Sequence, residues 1–149
     1  MKFRMLALFE LKMRHNMKLL CLLPLTACLL TPLAYADDCD NATTQGDMNA
    51  CAGRQYQAAD KALNSVYQQI TQRLKADADT QKLLVGAQRS WVTFRDAECE
   101  FAASGVSGGS VYPLIHLNCL TAQTTSRTQA LKQYLKCQEG DMGCPVPAQ

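Results

Sequence analysis

Histidine is scarce in this chain: two in 149 residues, His15 and His116. Imidazole-based acid–base chemistry therefore has few candidates. No Cys-x-x-Cys pair or His-rich cluster matches a zinc-ligand pattern, so neither a metal nor a cofactor is expected. Ser110 lies near His116, but the two sit in no nucleophile-elbow motif and no orienting acid is evident. The chain also lacks strand-length alternation of apolar and polar residues, which removes a sheet from the expected architecture. Its N-terminal apolar run, Leu19 to Leu33, is interrupted by Pro24 and Pro32. That is short of the roughly 20 apolar residues a permanent membrane span requires.

What is present begins with that run. Met17-Lys18 precedes it and Ala34-Tyr35-Ala36 follows, a small-x-small signal-peptidase pattern. Residues 1–36 read as a removed signal peptide, with Met17 as an alternative start. A rival processing site, Leu25-Thr26-Ala27-Cys28, would leave a lipoprotein anchored through Cys28. Removing residues 1–36 leaves ten basic and twelve acidic residues, so the formal charge of +2 for the whole chain becomes −2. The basic excess belongs to the leader, and no basic patch remains to recruit nucleic acid. The remaining 113 residues suffice for one domain, 37–149, small enough to gain from covalent staples. Six cysteines remain: Cys39, Cys51, Cys99, Cys119, Cys137 and Cys144. An even number in an exported domain reads as three disulfides in an oxidising compartment, periplasmic or secreted.

Apolar residues Ala52, Tyr56, Ala59, Leu63, Tyr67, Ile70 and Leu74 recur at spacings of three and four and predict a first helix over 47–74, capped by Thr43 or Thr44. A second helix is predicted over 81–103, capped by Asp79 or Thr80, with an apolar stripe of Leu83, Leu84, Ala87, Trp91, Phe94, Phe101 and Ala102. The Gly-rich stretch 105–110 ends it. A third is predicted over 111–136, with Leu114, Leu117, Leu120, Leu131 and Leu135 inward. The expected fold is all-α: a three-helix antiparallel bundle stapled by disulfides, closed by a C-terminal loop over 137–144. Alternating directions bring Cys39, Cys51, Cys99 and Cys119 to one end. This topology favours Cys39–Cys51, Cys99–Cys119 and Cys137–Cys144, with Cys51–Cys99 as the rival.

Charges within the second helix need partners if they face the bundle. Arg95 and Glu98 share the side of Trp91 and Phe94, while Asp96 and Glu100 point outward. Asp60 and Asn64 flank the apolar face of the first helix. A structural polar network of Asp60, Asn64, Trp91, Arg95 and Glu98 follows, with Arg95 stacked on Trp91 and bridged to Asp60.

The order Cys39-x-x-Ala-x-Thr-Gln, Met48-Asn49-x-Cys51, Ala59-Asp60-x-x-Leu63-Asn64-x-x-Tyr67, Ala87-Gln88-Arg89-x-Trp91-x-x-Phe94-Arg95-Asp96-x-x-Cys99, Gly108-Gly109-Ser110 and Cys119-x-x-x-x-Thr124-x-x-Arg127-x-x-x-Leu131 resembles the LprI-type lysozyme-inhibitor family. The resemblance implies an envelope or secreted helical domain that binds a protein, a lysozyme in some members, and is not an enzyme. Lysozyme-type glycosidases carry two carboxyl groups in an open cleft, so an inhibitor must project a polar element into it. The candidate is the loop around Ser107, Gly108, Gly109, Ser110 and Tyr112: glycines for a projecting turn, hydroxyls for the carboxyl pair, an aromatic anchor. A plain helix connector is its alternative role, and an envelope adaptor without inhibitory activity is the alternative function. Oligomeric state is left open by the sequence.

Overall fold

The computed structural model describes residues 38–148. The leader expected over 1–36, with Met17 and Cys28, lies outside the described residues. A 3-10 turn at Asp38–Asn41 leads into three helices: α1 (Gln45–Arg73), α2 (Ala78–Ala103) and α3 (Tyr112–Tyr134). No strand occurs among the described residues, and the fold is all-α.

Each helix starts where its sequence can satisfy the free backbone N–H groups of the first turn. At α1 the Thr44 hydroxyl accepts from the Asp47 N–H at 3.1 Å, and the Asp47 carboxylate accepts from the Thr44 N–H at 3.4 Å, completing a capping box. At α2 the cap is Asp77, whose side chain accepts from the Thr80 N–H at 3.0 Å, not Asp79 or Thr80. The helix accordingly starts three residues earlier than its apolar period indicated. Pro113 sits in the first turn of α3, where a missing N–H costs no hydrogen bond.

α3 is the hub, packing along α1 and, less extensively, along α2. The interior joins Leu63, Val66, Ile70 and Leu74 to Leu131, with Tyr67, Leu84, Trp91 and Leu135 packed on its margin. Cys137 and Val146 belong to the same cluster, so the C-terminal segment closes the end of the core. There Arg73 donates to the Leu135 carbonyl at 3.0 Å. Midway along α3 the buried positions are Thr124 and Thr128, and short side chains there permit close helix approach. The Thr128 hydroxyl donates to the Thr124 carbonyl at 2.8 Å. Thr124 Oγ1 is fully buried without a hydrogen-bond partner.

The stripe expected to be buried on α2 is corrected by the structure. Leu83 and Phe101 are each 75% exposed and Phe94 is 56% exposed, while Ala87 and Ala102 also face solvent. The inward face is carried by Leu84, Gln88, Trp91, Arg95, Cys99 and Ala103. The two polar members of that face are satisfied there: Gln88 accepts from Arg127 Nε at 3.1 Å and Arg95 is paired with Asp96. Leu84, Trp91 and the inward Arg95 lie where the sequence places them; the apolar period errs at Leu83, Ala87, Phe94, Phe101 and Ala102 because hydrophobicity gives no weight to a paired polar residue such as Gln88.

The structure carries three disulfides among the described residues: Cys39–Cys51, Cys99–Cys119 and Cys137–Cys144, with Cα separations of 5.6, 5.5 and 5.7 Å. No described helix is long and apolar enough to cross a membrane.

Candidate functional site

The N-terminus of α1, the C-terminus of α2 and the N-terminus of α3 meet at one end, and the connection between α2 and α3 projects from it. α2 runs into a 3-10 turn, Ser104–Val106, and the chain then reverses. Gly108 has φ +74°, the left-handed region that a side chain disfavours, and a Cβ on Gly109 would lie 3.1 Å from the Val106 carbonyl oxygen. This reversal depends on both glycines. Backbone bonds from Ser107 N–H to the Ser104 carbonyl, Gly109 N–H to the Val106 carbonyl and Tyr112 N–H to the Gly109 carbonyl, at 3.0–3.2 Å, hold successive turns. Ser107, Gly108, Gly109 and Ser110 are all exposed.

Three ties restrain the loop. The Cys99–Cys119 disulfide closes its base. Asn49, on the first turns of α1, donates from its side-chain amide to the Ser110 carbonyl at 3.0 Å. The Tyr112 hydroxyl donates to Glu100 Oε2 at 2.6 Å, joining the start of α3 to the last turn of α2. That bond to a carboxylate, with smaller desolvation and charge contributions, raises the Tyr112 pKa above its ordinary value and keeps the phenol protonated. Tyr112 also stacks on His116 with ring centroids 5.5 Å apart and planes 11° from parallel. His116 Nε2 lies 3.9 Å from Glu100 Oε2. Glu100 is thus the acid near His116 that sequence order did not reveal, and its shorter contact is with Tyr112. A phenol and an imidazole at i and i+4 were the available signal.

The expected polar network separates into two parts. On α1, Asn64 donates to Asp60 at 2.9 Å. On α2, Arg95 is 7% exposed and bonds Asp96, not Asp60: Nη2 and Nε lie 2.7 and 2.8 Å from Asp96 Oδ1. Its guanidinium lies over the Trp91 ring at 5.1 Å and the Tyr56 ring at 5.7 Å, joining α2 to α1. Arg127 of α3 reaches the same indole at 5.9 Å. Trp91 therefore sits between guanidinium groups from two helices, a stack that links all three. Glu98 is half-buried on the inward side of α2.

Among the described residues no group of three His, Cys, Asp or Glu side chains is placed to hold a metal ion. The braced end instead presents the exposed Ser107 and Ser110 on a restrained turn.

A profile described as "Lysozyme inhibitor LprI" matches residues 37–131. An uncharacterized protein of Rhizobium meliloti (strain 1021) is 34% identical over 113 residues, covering 68% of this chain and 81% of that protein. The uncharacterized protein YecT of Escherichia coli (strain K12) is 28% identical over 108 residues, covering 64% and 67%. The crystal structure of a DUF1311 family protein from Pseudomonas putida KT2440 superposes with a TM-score of 0.57 at 23% identity, covering 62% of this chain and 95% of that one.

Proposed function

The chain belongs to the LprI lysozyme-inhibitor family, and from that membership we propose that it is an exported protein-binding module that inhibits a lysozyme-type peptidoglycan-cleaving enzyme. The observation that carries the reading to particular residues is the loop at 107–112, exposed over Ser107–Ser110 yet tied by a disulfide, by Asn49 and by Glu100. A restrained loop loses less conformational freedom on binding than a free one, which favours insertion into an enzyme cleft. Ser107 and Ser110 would supply hydroxyls to the cleft carboxyl pair, and Tyr112 would support them from the base.

Export fits this role, since the target substrate lies outside the cytoplasm and the three disulfides suit an oxidising compartment. Residues 1–36 would then be the removed signal. The mass of the exported protein distinguishes a chain beginning at Asp37 from one beginning at an acylated Cys28.

Clearing of a peptidoglycan suspension by several lysozyme types, with and without the oxidised protein, tests the activity. Inhibition is expected to weaken tenfold or more, roughly, when Ser107, Ser110 and Tyr112 are replaced together by Ala. Unchanged inhibition in that variant would remove the loop from the reading. No inhibition of any lysozyme by the unaltered protein would leave the envelope adaptor as the function.

A further inference from the structure

All three helices and the C-terminal segment wall an apolar groove of about 220 Å³ at the end of the bundle away from the 107–112 loop. Its buried residues are Ile70, Leu74 and Val146; Leu84 and Ala87 line one side, and the exposed Leu83 and Pro145 stand at its rim. Tyr134, Pro145 and Val146 lie beyond residue 131, where the family match ends. The groove is therefore completed by a segment outside the matched region, held by the Cys137–Cys144 disulfide.

Among the residues that line it, Arg127 is the one that carries a charge. Its Nε donates to Gln88 at 3.1 Å and its guanidinium lies 5.9 Å from the Trp91 ring, yet among the described residues no carboxylate pairs with it. Arg95, by contrast, is answered by Asp96. A guanidinium keeps its charge throughout the physiological range, and partial burial beside apolar walls makes an anionic partner favourable. Its planar fork matches a carboxylate in particular. An apolar groove with one such cation is complementary to a molecule with an alkyl tail and an anionic head. At about 30 Å³ for each water-sized group, the volume holds roughly seven methylene-sized groups, so a chain of about eight carbons fits.

We propose that this groove binds a medium-chain fatty acid, its carboxylate on Arg127 and its alkyl chain along Ile70, Leu74 and Val146. The site lies at the opposite end of the bundle from the loop. Its occupancy neither requires inhibition of a lysozyme nor depends on that reading.

Trp91 is the chain's single tryptophan and lies beside Arg127, so indole fluorescence reports on the site without a label. Titration of the disulfide-bonded protein with sodium octanoate, followed by fluorescence and by calorimetry, should show saturable binding of one molecule with a Kd on the order of 100 μM. Affinity should rise about fourfold per methylene from hexanoate to octanoate and level off by dodecanoate, once the chain outgrows the groove. Octanol, with the same chain and no charge, should bind roughly tenfold more weakly. Arg127→Gln should bring octanoate down to the affinity of octanol, and Ala87→Phe should weaken both ligands with the helical circular dichroism unchanged. The octanoate–octanol comparison on the unaltered protein decides the head group even if Arg127→Gln fails to fold. Equal affinity for the two overturns the carboxylate assignment. No saturable octanoate binding up to about 5 mM, or binding indifferent to Ala87→Phe, overturns the site.

Discussion

On α2 the face turned towards the bundle carries Gln88 and Arg95 among Leu84, Trp91 and Cys99, whereas the face turned to solvent carries Leu83, Phe94 and Phe101. The inner charge is tolerable because it is answered by a carboxylate on the next residue and by the nearby Trp91 and Tyr56 rings. Of the outer apolar residues, Phe94 and Phe101 lie open to solvent, and Leu83 borders a groove with Ile70, Leu74, Tyr134 and Val146. The contrast shows that burial on this helix follows the availability of partners more than the polarity of the side chain. It also separates structural work, done by the guanidinium–aromatic stack on the inner face, from the work available to the outer face and the loop.

The contrast can be broken most sharply at neighbouring positions. Arg95→Ala removes a buried guanidinium and leaves Trp91 and Tyr56 without their common filler, so a loss of about 2–4 kcal/mol is expected in urea unfolding. Phe94→Ala, one residue away and apolar, should cost below about 0.5 kcal/mol in the same measurement. Equal losses at the two sites would show that the inner face is not the structural one. On α3, Thr124→Val replaces a buried hydroxyl that has no partner with a methyl group of similar volume. A gain of about 1 kcal/mol is expected from the same measurement.

A pH-dependent effect is expected at the α2 N-terminus. Hydrogen bonds from the Thr80 backbone and side chain hold the Asp77 pKa below its ordinary value near 3.8. A depressed carboxylate pKa contributes stability that is present above the unfolded value and lost as pH falls through the folded one. Asp77→Ala should therefore lower the Tm by roughly 4 °C at neutral pH, and the difference from the unaltered protein should shrink below about pH 4. A constant difference across that range would mean that the cap is not acting through its charge.

Much of this architecture was legible in the residues themselves. The three-and-four spacing from Ala52 to Leu74 marked α1, Thr44 and Asp47 marked its start, and the glycines at 105, 108 and 109 marked the turn after α2, because these signals act within a few residues of chain. The candidate loop could be located for the same reason. Of its restraints the Cys99–Cys119 bridge was legible as the favoured pairing, and the other two were not: Asn49 reaches Ser110 across 61 positions, and Glu100 meets Tyr112 only once α2 and α3 have reversed against each other. The side of α2 that would be buried depended on Arg127 and Tyr56, which come from the other two helices.

The sequence by itself determined three helices, the cap of the first and the breaks between them, and a cysteine set compatible with several pairings, since hydrogen bonding within a helix and turn chemistry are local. Tertiary structure alone decided which further groups answer the inward Arg95, which side chains of α1 and α2 tie the α2–α3 loop besides its disulfide, and which apolar side chains were left facing out. Those outcomes depend on desolvation being offset by groups distant in the chain, and that balance exists only after the helices have packed.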